Sequence, residues 1–189
     1  MTPQVTIITP TYNKPGYFAQ CANSVLAQKY QRWVWWPVIN STEWPKGYAM
    51  QDEDPRVLPI WFPVEEYERK LTYITAQIIN WIYPKVQTDY IYFLADDDLI
   101  DPEGLATLVD VMEKHWSRNV CYGRCEVQDE QPDGTFKTAC WCFDGQDVGL
   151  GTGIEPDCRL DSGQVLHTKE IWDEVTKDGW QLTDKIQEA

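Results

Sequence analysis

A chain of 189 residues with 43% apolar content is long enough to bury the core of one compact domain and too short to divide comfortably into several. Thirty acidic against sixteen basic residues give a net charge of −14, which repels phosphate backbones and anionic lipid surfaces and argues against bulk nucleic-acid binding. A phosphate-bearing substrate must then be met by a local device: a metal ion, a helix N-terminus, or a few well-placed Lys and Arg residues.

The start, Met1-Thr2-Pro3-Gln4, has neither a basic segment nor a small-residue cleavage site, so no signal peptide is read and a soluble, cytoplasmic chain is expected. Val5 to Thr9 is a β-branched run broken by Pro10 and the turn formers Asn13-Lys14-Pro15-Gly16. Phe18, Cys21, Ala22, Val25 and Leu26 then recur at helical spacing. Trp33 to Ile39 reads as a second strand that ends in Asn40-Ser41-Thr42-Glu43. Strand, helix, strand implies a parallel pair with a right-handed crossover, and ligands of such sheets gather at the carboxyl ends of the strands.

Arg56 to Ile60 is a weaker strand, and Leu71, Ile74, Ile78 and Ile82 trace a helix face that Pro84 ends. Glu65-Glu66 at its start suits the positive end of the helix dipole. Tyr90 to Leu94 is continuously apolar, as a strand covered on both faces should be, and it delivers Asp96-Asp97-Asp98 to its carboxyl end. Asp101 is the expected cap of a helix with Pro102 at its first position and Leu105, Leu108, Val109 and Met112 on its buried side. None of the apolar runs approaches the ~20 residues of a membrane span.

From about Arg118 the pattern changes. Val120 to Val127 and Phe136 to Phe143 flank the turn signal Pro132-Asp133-Gly134-Thr135 and read as an antiparallel hairpin. A loop rich in Gly and Asp, a strand over Gln164 to His167 and a helix over Lys169 to Thr176 follow. The six cysteines are expected to be reduced, although the CxxxC and CxC pairs of Cys121, Cys125, Cys140 and Cys142 leave a structural zinc site as an alternative. The expected class is therefore α/β, with a mixed, mainly parallel central sheet flanked by helices and a hairpin in the second half.

Three consecutive carboxylates after a buried strand repel one another and serve no core. A hard cation such as Mg²⁺ or Mn²⁺ resolves the repulsion, since it takes oxygen ligands from one or two carboxylates and from substrate phosphates. The plain alternative is a solvated acidic run before a helix.

Val5 to Lys14, Ser24-Val25-Leu26-Ala27-Gln28 and Tyr90 to Leu99 resemble, in order and spacing, the opening and the DXD segment of the family 2 inverting glycosyltransferases, and Asp161 to His167 resembles a later segment of the same family. The chain resembles that family over nearly its whole length, closest to its spore-coat polysaccharide synthesis branch. The resemblance implies one GT-A (Rossmann-like) domain over 1–189, with a nucleotide-sugar half to about 100 and an acceptor half after it. It implies that Thr9, Pro10, Tyr12 and Asn13 surround base and ribose, that Asp96 touches the ribose, that Asp97 and Asp98 reach Mn²⁺ or Mg²⁺, and that Lys70, with Arg69, neutralises the diphosphate. It also implies Asp184 as the base that deprotonates an acceptor hydroxyl, carbohydrate or other, while a nucleoside-diphosphate sugar, UDP-linked by preference, supplies the donor.

Two departures stand out. The family usually carries paired aspartates after the second strand, where this chain has Ile39-Asn40, so Asn40 would meet the base without a charge. Only five residues follow Asp184, which suits a minimal enzyme or a shortened chain. Two rival readings remain: a binding module that kept the fold without catalysis, and a nucleotidyltransferase, which would need a triphosphate loop not found here. His167 stands as a possible metal or acceptor neighbour against a structural role.

Overall fold

The computed structural model describes residue 2 and residues 4–41, 54–65, 74–115, 119–123, 125–142 and 165–176. Period-two alternation along the strands sends side chains to opposite faces of one sheet, and each face finds its own helices. Val5 and Ile7 of β1 (Val5–Thr11), Trp33 and Trp35 of β2 (Trp33–Ile39) and Tyr92 of β4 (Tyr90–Phe93) pack with α1 (Pro15–Leu26) and α3 (Gly104–Lys114). Ile8, Val38 and Ile91 turn the other way, onto α2 (Ile74–Ile82), with Trp172 of α4 (Lys169–Thr176) packed against the same cluster. Leu71, expected on the face of α2, lies outside the described residues.

The sheet order is β3-β2-β1-β4-β8-β5, where β3 is Ile60–Trp61, β5 is Val120–Tyr122 and β8 is Val165–Thr168. The first four of these strands run parallel; β8 is antiparallel to both β4 and β5. The α/β expectation therefore holds, as do the mainly parallel sheet and the hairpin. That hairpin is β6 (Cys125–Glu130) with β7 (Phe136–Cys142), and its turn carries Gly134 at φ 79°, a conformation glycine adopts without steric cost.

Several boundaries differ from the sequence reading. The strand expected over Arg56 to Ile60 is reduced to β3 at Ile60–Trp61, with Val57 making an isolated bridge to Trp35, and β1 continues through Pro10 to Thr11. Val120 to Val127 is not one strand: Val120–Tyr122 joins the main sheet beside β8, and pairing resumes at Cys125 in a separate two-stranded sheet. Alternation predicts that a segment is extended but not which sheet takes it up. Helix α3 begins at Gly104 rather than Pro102, and Asp101 holds the preceding turn instead, its Oδ1 accepting the Glu103 N–H at 2.8 Å. No helix among the described residues is long and apolar enough to cross a membrane.

Candidate functional site

From β1 the chain builds β2 and β3 on one side and then returns to lay β4 on the other, so a crevice opens between the carboxyl ends of β1 and β4. Pro10 marks where it opens. Alternate residues of β1 face alternate neighbours, and Ile8 faces β4, its carbonyl accepting from Leu94 N–H at 3.0 Å. Pro10 faces the same side two residues later, beyond the β1–β4 pairing that ends at Ile8 with Phe93, so its missing N–H costs no ladder bond.

Past these ends the two chains meet through side chains. Ala95 to Asp98 forms a tight turn, closed by Asp98 N–H on the Ala95 carbonyl at 3.2 Å, and it carries all three aspartates. Asp96 is buried at 8% exposure, and its Oδ2 accepts the Tyr12 N–H at 3.3 Å. Asn13, next in the loop, sits at φ 52°, a left-handed conformation that asparagine tolerates better than most residues. Lys14 then reaches across, its Nζ lying 2.5 Å from Asp97 Oδ2 and 3.7 Å from Asp96 Oδ1. That hydrogen bond to Asp97, with the Asp96 charge beside it, raises the lysine pKa above its ordinary value.

The turn is supported from below. Cys21 of α1 is fully buried, and its thiol points at the Ala95 carbonyl at 3.5 Å. Burial, reinforced by the three aspartate charges, pushes its pKa up to about 12, so it is an inert prop rather than a nucleophile. The chain leaving the turn is latched to the end of α1. Ser24 Oγ accepts the Ile100 N–H at 3.2 Å, while Gln28 Nε2 donates to the carbonyls of Asp101 (2.7 Å) and Ile100 (3.3 Å) and its Oε1 accepts the Leu105 N–H at 3.1 Å. Ser24 and Gln28 were legible only as part of a familiar string; their task is to hold the segment that follows the acidic turn.

Other expected residues fall into place unevenly. Asn40 is buried at the end of β2, with its N–H on the Thr11 carbonyl at 3.1 Å, and so lies one strand from the crevice. Thr9, expected around the nucleotide, is fully buried, and its hydroxyl accepts the Trp35 indole N–H at 2.9 Å. Pro10 is likewise buried within β1. Arg69, Lys70 and Asp184 lie outside the described residues. Trp61, which nothing in the sequence distinguished from nine other tryptophans, is 48% exposed, and its indole N–H is fixed on the Ser41 carbonyl at 2.8 Å. It offers a flat ring along the same edge of the sheet.

His167 makes its contacts within the sheet and with Tyr83. It pairs with Ile91 well down β4, its Nδ1 lies 3.1 Å from the Thr168 carbonyl, and Nε2 lies 3.4 Å from the Tyr83 hydroxyl. Burial lowers its pKa, and it helps line an apolar cavity of about 240 Å³ together with Tyr83 and Trp172. The zinc alternative also loses a member: Cys121 is buried in β5 with its thiol on the Leu108 carbonyl at 3.4 Å, in a different sheet from Cys125.

Among the described residues no three His, Cys, Asp or Glu side chains converge as a ready metal cage. The arrangement does fit a cation that keeps open positions. Two carboxylates from one turn are already bridged by an ammonium, and hard oxygen donors of this kind suit Mg²⁺ or Mn²⁺ with phosphates completing the shell.

No protein-family profile matches the chain. It is 28% identical over 128 residues to a Rickettsia conorii protein described as an uncharacterized glycosyltransferase, covering 67% of this chain and 20% of that one. It is 26% identical over 129 residues to protein CgeD of Bacillus subtilis, covering 67% and 30%. The chain thus spans less than a third of the length of these relatives. Among solved structures, residues 1–349 of S. aureus TarS in complex with UDP-GlcNAc superpose with a TM-score of 0.63 at 13% identity, covering all of this chain and 50% of that one. The UDP complex of the same protein gives a TM-score of 0.51 at 17% identity over 64% of this chain and 34% of that one. The fold is that of these TarS structures.

Proposed function

We propose that this chain is the nucleotide-sugar domain of a metal-dependent, inverting glycosyltransferase, related to the branch that makes spore-coat polysaccharide. The observation that carries the reading is the meeting of Tyr12 and Lys14 with Asp96 and Asp97 at the mouth of the β1–β4 crevice. A rigid turn with buried support, facing a loop of exposed polar groups, is what a diphosphate-linked ligand requires from a strongly acidic protein. The TarS complexes with UDP and UDP-GlcNAc, on the same fold, favour a UDP-sugar as the donor.

In this reading Tyr12, Asn13 and Asn40 line the nucleoside, Asp96 fixes the ribose while tied to the Tyr12 N–H, and Thr9 and Pro10 shape the strand end from within. Asp97 and Asp98 would hold Mn²⁺ or Mg²⁺, which when bound acts as a Lewis acid on the departing diphosphate. Lys70 and Arg69 add positive charge to the diphosphate. Asp184 takes the proton of the acceptor hydroxyl, the acceptor oxygen forms its bond to the anomeric carbon, and the bond from that carbon to the diphosphate oxygen breaks on the opposite face, inverting the configuration. Residues 1–189 then form one domain, with the acceptor met by its second half.

Nucleoside-diphosphate release from a panel of UDP-, GDP-, dTDP- and CDP-sugars tests the reading, with pyrophosphate release from NTPs as the sign of a nucleotidyltransferase instead. Asp184→Asn should lower turnover by about 10²-fold or more while leaving donor affinity nearly unchanged. Donor binding without turnover by the unmutated chain would favour the binding module, and wild-type rates in Asp184→Asn would move the base to another carboxylate.

A further inference from the structure

Lys14 was visible in the sequence only as one of a group of turn formers, yet it makes the closest contact at the site. Its backbone is fixed: the Lys14 carbonyl accepts the Phe18 N–H at 2.9 Å in the first turn of α1, and Pro15 follows at the helix start. Its side chain is not fixed. It is 45% exposed, four carbons long, and held only at its tip by Asp97, itself 46% exposed, with Asp96 further off.

We propose that Lys14 is an exchangeable counter-ion of the acidic turn: its ammonium neutralises Asp96 and Asp97 until a divalent cation takes those oxygens, and it then transfers to the diphosphate that arrives with the cation. The inference rests on the metal-dependent reading above. An ammonium and a divalent cation compete for the same Asp97 oxygen, because each wants its lone pairs and the two positive charges repel at that range. A metal arriving alone must displace Lys14 and leave it without an anionic partner in the turn. A metal arriving with a diphosphate offers the lysine a new one, within reach of the same anchored backbone and next to the positive end of α1. Metal and nucleotide therefore bind cooperatively, and Lys14 is a source of that coupling, which by linkage acts equally in both directions. The device suits a protein of net charge −14, whose acidic turn would otherwise collect divalent cations without substrate.

The test is an electron paramagnetic resonance titration of Mn²⁺, with and without UDP, on the wild type, Lys14→Met and Lys14→Arg. Thermal unfolding of each apo variant checks folding, which an exposed side chain should leave intact. Lys14→Met should bind Mn²⁺ alone roughly 3- to 10-fold more tightly than the wild type, because the competitor is gone. The factor by which UDP tightens Mn²⁺ binding should shrink by a similar amount, and Lys14→Arg should behave like the wild type. Lys14→Met binding Mn²⁺ alone no more tightly than the wild type overturns the proposal. If the wild type binds Mn²⁺ with UDP but Lys14→Met gains nothing for Mn²⁺ alone, only the counter-ion role falls. If neither protein binds Mn²⁺ even with UDP, the metal-dependent reading falls with it.

Discussion

Replacing Gln28 with alanine should destabilise the fold and loosen the acidic turn together. The side chain is 1% exposed and spans two elements, donating to the Asp101 and Ile100 carbonyls and accepting from Leu105 N–H. Alanine leaves the Ile100 carbonyl and the Leu105 N–H without these buried partners, while the exposed Asp101 can turn its carbonyl toward water. At about 1–3 kcal/mol for each of the two buried groups left unsatisfied, the loss is roughly 2–6 kcal/mol. For a chain of this length that corresponds to a fall in Tm of roughly 5–25 °C. Gln28→Glu sharpens the test. It keeps the acceptor for Leu105 but turns an acceptor toward the carbonyls of Ser24, Ile100 and Asp101, so it should lose at least as much. Gln20→Ala, an exposed change on α1, the helix that Gln28 follows, should stay within about 0.5 kcal/mol. Urea and thermal unfolding measure all three, and nucleoside-diphosphate titration of the folded proteins should give weaker binding for Gln28→Ala. A Gln28→Ala protein that melts within about 2 °C of the wild type would refute the latch.

Two further outcomes follow from groups away from the crevice. Burial lowers the His167 pKa, so the folded state favours neutral imidazole; the stability this contributes is fully present above the ordinary histidine value and is lost as pH falls through the depressed one. Between about pH 7.5 and about pH 5 the wild type should lose more stability in urea than His167→Gln, and equal losses would contradict the buried neutral ring. Cys21 and Cys121, with thiols pushed up to about 12 and about 11 by burial, should resist a thiol reagent in the native protein, whereas all six cysteines react after denaturation without reductant. Fewer than six would reveal disulfides.

The strands and helices that build the crevice were legible because each carries its own local signal. Trp33 to Ile39 is bounded by polar residues, Tyr90 to Phe93 is unbroken by charge, and Phe18, Cys21, Ala22 and Val25 all fall on the buried face of α1. The acidic turn was legible because three adjacent carboxylates make no sense in a core. What local pattern could not give was partnership across the chain. Lys14 meets Asp97 from 83 positions away and Gln28 meets Asp101 from 73, and neither distance leaves a periodic trace. The same blindness hid the bond from the Trp35 indole to the Thr9 hydroxyl, and merged β5 with β6 although they belong to different sheets.

The central claim is that the turn at Asp96 to Asp98 binds a nucleoside diphosphate through a divalent cation, and calorimetric titration of UDP into the wild type and Asp97→Ala, each with Mn²⁺ and with excess EDTA, tests it most directly. UDP should bind the wild type only with Mn²⁺, and Asp97→Ala should weaken that binding by about tenfold or more, since it removes one of the few protein ligands of a cation otherwise held by phosphates. If Asp98 is the principal ligand, Asp98→Ala will carry the larger loss in place of Asp97→Ala. UDP binding that persists undiminished in EDTA, or that survives both substitutions, would contradict the account.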